Sequence, residues 1–295
     1  MAGIVARGRL RVRTGPRIIL AAMLYALDKR ELEELRELEL VPRFDGAKML
    51  SVVYRTDPEL VRTILPAPLQ PLAEPLAVAF VADYPTTNFG LSYHEAGLAL
   101  ACRLGKQVGL YHLCMPVDDD TAMIGGRESF GFPKKMAEAI ELERDGDHVE
   151  ARVRRHGVEL MHLRAKLGDE APAAALDRLF PREDEQRVLR SFLIKFFPSP
   201  DGKSLDYLPR VVRQETSVTA AEPPRSAEVE LELRSSAADP LAEIPVRELV
   251  TAVYGSYDLI LQPGRVVRRI WNVLRFLPHL FFKTDTLALL RRASK

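Results

Sequence analysis

The stretch MAEAIELERDGDHVEARVRRHGVELMHLRAKL, residues 136–167, decides the fold. Apolar Ala139, Leu142, Val149, Ala151 and Val153 are interleaved with charged residues, and breaks fall at Asp145-Gly146 and His156-Gly157. An apolar/polar alternation interrupted by such pairs predicts antiparallel strands joined by tight hairpins, a meander. Working outward, MLSVVYRTD (49–57) is rich in strand formers and ends at Asp57-Pro58. There Asp caps, and Pro takes the first position of a short helix, PELVRTIL. PLAVAFVADY (75–84) is another strand, and AEVELELRSS alternates Val229, Leu231 and Leu233. Strands follow one another with few helices between them, which predicts an α+β, mainly antiparallel, barrel-like body rather than a doubly wound parallel sheet.

The two ends read differently. Residues 17–39 predict a helix with an apolar beginning and a charged end, and PVRELVTAVYGSYDLIL (245–261) is expected to start as a helix. In RVVRRIWNVLRFL (265–277), Val266, Val267, Ile270, Val273, Leu274 and Leu277 share one helical face, with Arg265, Arg268, Arg269 and Arg275 largely off it. The expected division is an N-terminal helical extension, 1–46, a body, 47–262, and a basic amphipathic C-terminal helical extension, 263–295.

The chain has 295 residues, 47% of them hydrophobic and 28% charged, enough for a substantial core. Cys102 and Cys114 lack any metal-ligand spacing, which predicts reduced thiols, a cytoplasmic location and no zinc site. The run IILAAMLYAL imitates a signal peptide, but Asp28, Lys29 and Arg30 stand where a cleavage site needs small residues. Net charge is +1 but unevenly spread: residues 1–27 hold five arginines and no acid, and residues 265–295 hold eight Lys/Arg against the single Asp285. An acidic body with basic ends predicts either docked terminal helices or peripheral contact with an anionic membrane surface. There is no glycine-rich phosphate loop, no nucleophile elbow and no basic-aromatic nucleic-acid surface.

Candidate chemistry lies in GGRESFGFPKKMAEA, residues 125–139, where Lys134 and Lys135 follow directly on Phe130-Gly131-Phe132-Pro133. A lysine attacks a carbonyl only as the neutral amine, and burial or a neighbouring cation favours that form. In an extended segment the two side chains point to opposite faces, so drying one lysine outweighs repulsion by the other. A desolvated lysine beside an apolar pocket forms a Schiff base with a ketone or aldehyde. The iminium then draws electrons from the adjacent carbon, which serves β-keto acid decarboxylation, aldol chemistry or dehydration. An isolated Pro-Lys-Lys is ordinarily a solvated pair on a turn.

The wider match alters that reading. The chain resembles the acetoacetate decarboxylase family, whose signature stands here as Gly126-Arg127-Glu128-Ser129-Phe130-Gly131-Phe132-Pro133-Lys134-Lys135. VVYRTD (52–57), EPL (74–76), YHEAG (93–97), IKFFPSPDG (194–202) and IPVRELV (244–250) resemble further family segments in the same order. Acetoacetate decarboxylase is itself a standard example of a lysine activated by its surroundings. The resemblance implies that Lys134 is the Schiff-base lysine, that Lys135 supports its environment and that Glu95 is an active-site glutamate. It places Phe132 and Met115 as pocket walls or plain core, and Arg127 with Glu128 as an ion pair fixing the turn. Two family groups that handle the substrate carboxylate are missing. The second glutamate is replaced by Ala79, Phe80 or Val81, and an arginine before the first strand by Ala47 beside Lys48. An apolar Phe80 suits a larger, less charged keto substrate.

His94 and His112 are candidates for proton transfer or for structural hydrogen bonds, and His156 with His162 lack a third ligand. The resemblance thus implies a homo-oligomeric Schiff-base lyase acting on a β-keto acid or related keto acid, without metal or organic cofactor. The alternatives are an aldolase-dehydratase using the same lysine, and a non-catalytic ligand-binding or membrane-surface protein.

Overall fold

A computed structural model describes residues 26–37, 41–183, 185–201, 203–280 and 283–285. The chain parts into two units, Met1–Leu40 and Val41–Lys295. The first contains helix α1 (Lys29–Glu37). Asp28 starts it: its Oδ1 accepts from the Glu31 N–H and Glu31 Oε2 accepts from the Asp28 N–H, both at 2.8 Å, a reciprocal capping box. Of the signal-like run IILAAMLYAL (18–27), residues 18–25 lie outside the described residues, as do the five N-terminal arginines.

In the second unit the strands run β1 (Arg43–Arg55), β2 (Leu76–Tyr84), β3 (Tyr93–Leu104), β4 (Gln107–Val117), β5 (Lys134–Met136), β6 (Ala139–Asp145), β7 (His148–Arg155) and β8 (Val158–Glu170). There follow β9 (Gln186–Lys195), β10 (Arg210–Ala220), β11 (Arg225–Leu233), β12 (Glu248–Leu261) and β13 (Arg265–Arg269). Strands β1 to β4 pair antiparallel in sequence. The ring continues through a parallel contact at Leu110 and Ser191 from β4 to β9, then antiparallel through β10 and β12 back to β1. Seven strands therefore close into a barrel, which leaves no free edge between them.

Alternation along β1 sends Met49 and Val53 into one buried cluster and Leu50, Val52 and Tyr54 into another. The first cluster fills the barrel with Phe80, Tyr93, Met115 and Phe132. The second lies between the outside of the barrel and the meander β6–β8, through Ile140, Val149, Val153, Leu160, Met161 and Leu163. Burying a leucine or valine of this kind stabilises by about 1.5–3 kcal/mol. The meander is as predicted, with two details shifted. Asp145 pairs with His148, so the first turn is Gly146-Asp147, and Ile140 rather than Ala139 joins the core. At the second turn, φ is +51° at His156 and +72° at Gly157, as a two-residue type I′ hairpin requires. Asp57 caps α2 (Pro58–Ile64) by accepting from Glu59 N–H at 3.0 Å.

Two expectations need correction. Residues 248–261 form β12 rather than opening as a helix, because their β-branched and aromatic residues close the barrel between β1 and β10. In 265–277 the helical periodicity is overridden at its start: Arg265–Arg269 pairs with β10 as β13, leaving Val266 51% exposed. Helix α5 begins only at Val273, where Asn272 Oδ1 accepts from Arg275 N–H at 3.1 Å. Two further short helices are α3 (Asp120–Ile124) and α4 (Ala173–Leu179), and α5 runs Val273–Leu280. Among the described residues no helix is long and apolar enough to cross a membrane.

Candidate active site

The signature segment turns where β4 leaves the barrel. Asp119 caps α3 by accepting from Ala122 N–H at 2.7 Å, and residues 125–130 continue as a π-helical turn. The Gly126 carbonyl closes it, accepting from Gly131 N–H at 3.0 Å and Phe132 N–H at 3.1 Å. Two of the three glycines, Gly126 and Gly131, have a steric reason, whereas a Cβ on Gly125 would meet nothing within 4 Å. A Cβ on Gly126 would stand 2.7 Å from the Lys134 Cδ and Cε, and Gly131 has φ +96° against the Lys195 backbone. Gly131 thus supplies the left-handed conformation that ends the turn. Arg127 donates to the carbonyls of Lys134 at 2.8 Å and Lys283 at 3.1 Å. The expected Arg127–Glu128 clamp is therefore a clamp on backbone oxygens, which holds Lys134 from behind.

β5 lies parallel to β4, with Lys134 opposite Met115. As the extended-chain argument predicts, its two lysines part. Lys134, 7% exposed, enters the barrel, where its Nζ lies 2.5 Å from Glu95 Oε2 and 5.3 Å from the centre of the Tyr93 ring. The carboxylate contact falls outside hydrogen-bonding angles, so it is an ion pair rather than a hydrogen bond. Lys135 points the other way. Its Nζ meets Asp239 Oδ1 and Asp285 Oδ1, each at 2.8 Å, and the Ala238 carbonyl at 3.1 Å. Arg155 joins the cluster, 2.5 Å from Asp239 Oδ2 and bonded to Asp285. Lys135 does not line the cavity that Lys134 enters.

That cavity, of about 100 Å³, is lined by Phe80, Tyr93, Glu95, Met115, Phe132 and Lys134 on one side. Ser191, Gln214 and Thr216 supply polar groups elsewhere in its wall. The sequence reading named five of the first six; Tyr93 was missed, although it stands two residues before Glu95 and so shares its face. Burial, with the Glu95 charge adding, keeps the Tyr93 hydroxyl well above its ordinary range and therefore protonated. Ser191, Gln214 and Thr216 come from β9 and β10 and carry no local signal.

Of the three residues Ala79, Phe80 and Val81, the structure turns one toward the cavity. Phe80 faces inward, opposite Gly97 on β3 and Ser51 on β1, while Ala79 and Val81 join the outer cluster. Its ring occupies the space over Gly97, whose added Cβ would come within 2.3 Å of Phe80 Cε1. Ala47 is fully buried in the barrel cluster, whereas Lys48 reaches Asp83 at 3.4 Å and brings no charge to the cavity. Among the described lining residues Lys134 is thus the sole lysine or arginine.

Of the histidines, His94 bonds Asp118 at 2.8 Å and His162 bonds Glu150 at 2.8 Å, both as structural contacts. His112 is different. It lines the cavity, its Nε2 lies 2.9 Å from Ser191 Oγ, and its buried Nδ1 has no partner. Burial, reinforced by the Lys134 charge, pushes His112 down to about 4, so the ring is neutral at pH 7. An unfolded histidine takes its proton near pH 6.5. The folded chain refuses that proton between about 6.5 and about 4, so stability is full above this window and is lost as pH falls through it, by about 3 kcal/mol. Urea midpoints measured from pH 7 to pH 4 are expected to fall less steeply in His112→Gln than in the native chain; parallel slopes would contradict this.

The family model "Acetoacetate decarboxylase (ADC)" matches residues 33–271. The chain is 34% identical over 228 residues to the acetoacetate decarboxylase of Burkholderia vietnamiensis, covering 76% of this chain and 87% of the relative. Among solved structures, acetoacetate decarboxylase from Legionella pneumophila superposes with TM-score 0.68 at 23% identity, over 78% of this chain and 88% of that one. The enduracididine biosynthesis enzyme MppR, complexed with a condensation product of pyruvate and imidazole 4-carboxaldehyde, gives TM-score 0.64 at 20% identity, over 77% and 88%. The structural likenesses establish the common fold, and the family match with the 34% relative establishes kinship: the chain belongs to the acetoacetate decarboxylase family of carboxy-lyases.

Proposed function

We propose that the chain decarboxylates a short β-keto acid with an uncharged tail, through a Schiff base on Lys134. The observation that carries this reading is the Lys134–Glu95 pair, 2.5 Å apart and nearly dry inside an apolar barrel. Moving one proton from the ammonium to Glu95 turns two buried charges into a neutral amine and a neutral acid, which a poorly solvating site favours. The amine adds to the ketone carbon, and the carbinolamine loses water to give an iminium. The substrate then carries a cationic iminium and an anionic carboxylate. Breaking the bond to the carboxylate carbon sends its electron pair into the iminium, releasing carbon dioxide and leaving a neutral enamine. Both charges vanish in that step, so a cavity of low polarity favours it without the missing arginine. The proton that Glu95 took from the ammonium has left in the water lost from the carbinolamine, so Glu95 takes up from solvent the one proton that β-keto acid decarboxylation consumes and passes it to the enamine carbon. Water then releases the ketone and regenerates Lys134 as the ammonium. The iminium is the electron sink, so no metal or organic cofactor enters the scheme.

Size refines the substrate. The cavity is small, about 100 Å³, and the Phe80 ring fills the space over Gly97 beside it, so a short substrate suits it better than the larger one expected from apolarity alone. Phe80→Ala is expected to raise kcat/KM for 3-oxohexanoate relative to acetoacetate by at least about tenfold, the scale of one to two methylenes in an apolar pocket. An unchanged ratio in steady-state assays would remove Phe80 from substrate selection.

Condensation with an aldehyde is the second reading, favoured by the Ser191 hydroxyl, which pairs with His112 Nε2 in the cavity wall and, with the ring as donor, is free to donate to a second carbonyl. Gln214 and Thr216, by contrast, spend their donors on Glu215, Gln262 and each other. Lys135 serves either route by anchoring β5 rather than by touching substrate. Borohydride reduction in the presence of acetoacetate, pyruvate and longer keto acids, followed by peptide mass spectrometry, tests the shared step. A reduced adduct on Lys134 supports it, and released carbon dioxide separates decarboxylation from condensation. A folded sample that traps no carbonyl would favour a non-catalytic binder.

A further inference from the structure

On the outer side of β4 and β9 lies a second cavity, of about 300 Å³, lined by Leu113, Ile194, Phe196, Leu241, Ile244 and Lys283 among others. Phe276, Pro278 and His279 also line it, and like Lys283 they lie beyond residue 271, where the family model ends. This wall therefore lies outside the part of the chain that the family model matches. His112 lines both cavities.

Lys283 is the polar feature of the second cavity that calls for a ligand. Its Nζ donates to the Gly131 carbonyl at 2.9 Å, makes a long 3.5 Å contact with the Ile194 carbonyl and stands 5.2 Å from the centre of the Phe196 ring. An ammonium has three donors, so one is left over. No carboxylate among the described residues forms an ion pair with it. The charges nearest it are the like charges of Arg127 and Lys195, which with burial push Lys283 down to about 7. Glu243, also on the lining, is exposed. A half-buried cation set among carbonyls and other cations, beside an apolar hollow, is complementary to an anion carrying an apolar tail.

We propose that this second cavity binds a small monocarboxylate with an apolar chain, its carboxylate on Lys283 and its chain against Leu113, Leu241, Ile244 and Phe276. Such a molecule has two sources: a fatty acid, or a keto acid of the kind turned over in the barrel. Affinity depends on the ammonium form of Lys283, so it declines as pH rises from about 6.5 to about 8.5. The other groups facing Lys283 do not reverse this sign. The Arg127 guanidinium stays a cation, burial holds the His112 and His279 imidazoles below their ordinary range and so neutral, and Asp285 is occupied with Lys135 and Arg155; Lys195 and the exposed Glu243 are the other charged groups facing it.

The test is isothermal titration of the full chain with butanoate, hexanoate and acetoacetate. Hexanoate is expected to bind the native chain and Lys134→Ala within about twofold of each other, more tightly than butanoate does. Binding is expected to weaken at least about tenfold in Lys283→Met. Ile244→Trp, which fills the hollow while leaving Lys283 in place, is expected to weaken it similarly, so loss of the C-terminal segment in the lysine variant cannot imitate the result. In the Lys134→Ala background, the tighter of hexanoate and acetoacetate names the source. Unchanged affinity in Lys283→Met and Ile244→Trp overturns the proposal, as does loss of binding in Lys134→Ala, which would place the carboxylate in the barrel.

Discussion

Lys134→Ala is expected to lower kcat/KM for β-keto acid decarboxylation by at least about 10⁴-fold, or about 5.5 kcal/mol of transition-state stabilisation, while leaving the fold intact. The size follows from chemistry rather than binding. Without the amine there is no iminium, and no other lysine or arginine among the described lining residues can take the electron pair. The fold survives because the barrel is closed by strand pairing and apolar packing in which the Lys134–Glu95 pair is a single contact. Glu95→Gln is the informative companion: it keeps the amine but removes the proton acceptor. It is expected to lose roughly 10²–10⁴-fold, the range of a positioned acid-base group, while still forming a borohydride-trapped adduct. The assay is initial-rate carbon dioxide release with circular dichroism as the check on folding. Turnover by Lys134→Ala within tenfold of the native chain would sink the proposed nucleophile.

The parts legible in the sequence are those written in neighbouring residues. Alternation and turn pairs place the β6–β8 meander, Asp57-Pro58 places a helix start, and the two-residue period sends Lys134 and Lys135 to opposite faces. Glu95, Phe132, Met115 and Phe80 are found through the family resemblance, and they meet Lys134 because β2, β3 and β4 are consecutive neighbours in the barrel. What escapes the sequence depends on distant pairing. Closure through Leu110 and Ser191 joins residues 81 positions apart, and it is this closure that carries Ser191, Gln214 and Thr216 into the cavity wall. β13 was hidden for the opposite reason: a genuine helical pattern in 265–277 lost to the backbone hydrogen bonds offered by the edge of β10. Asp239, in a loop with no periodicity, gives no hint that it anchors the second lysine of the signature.

That anchor makes the largest stability prediction. Asp239 is fully buried and receives both Lys135 and Arg155, themselves 3% and 5% exposed. Asp239→Ala leaves two buried cations sharing Asp285, whose side chain is 36% exposed and a weaker partner for that reason. Breaking a buried pair by removing one member costs about 3–5 kcal/mol, and urea unfolding at pH 7 is expected to show a loss of that size. Asp239→Asn keeps an acceptor but not the charge and should fall between. A loss under about 1 kcal/mol for the alanine variant would mean that water or Asp285 compensates the cations and that the cluster is not an anchor. The triple replacement Lys135→Met, Arg155→Leu, Asp239→Leu separates stability from function, because apolar substitution of a buried ionic cluster is often neutral or stabilising. If the cluster exists to aim β5, that variant regains stability but still turns over more slowly. Its three-residue strand would then be held only by its pairing with β4 and by Arg127 on the Lys134 carbonyl, so the nucleophile loses its fixed approach to Glu95. Recovery of stability and full kcat together would reduce the cluster to packing.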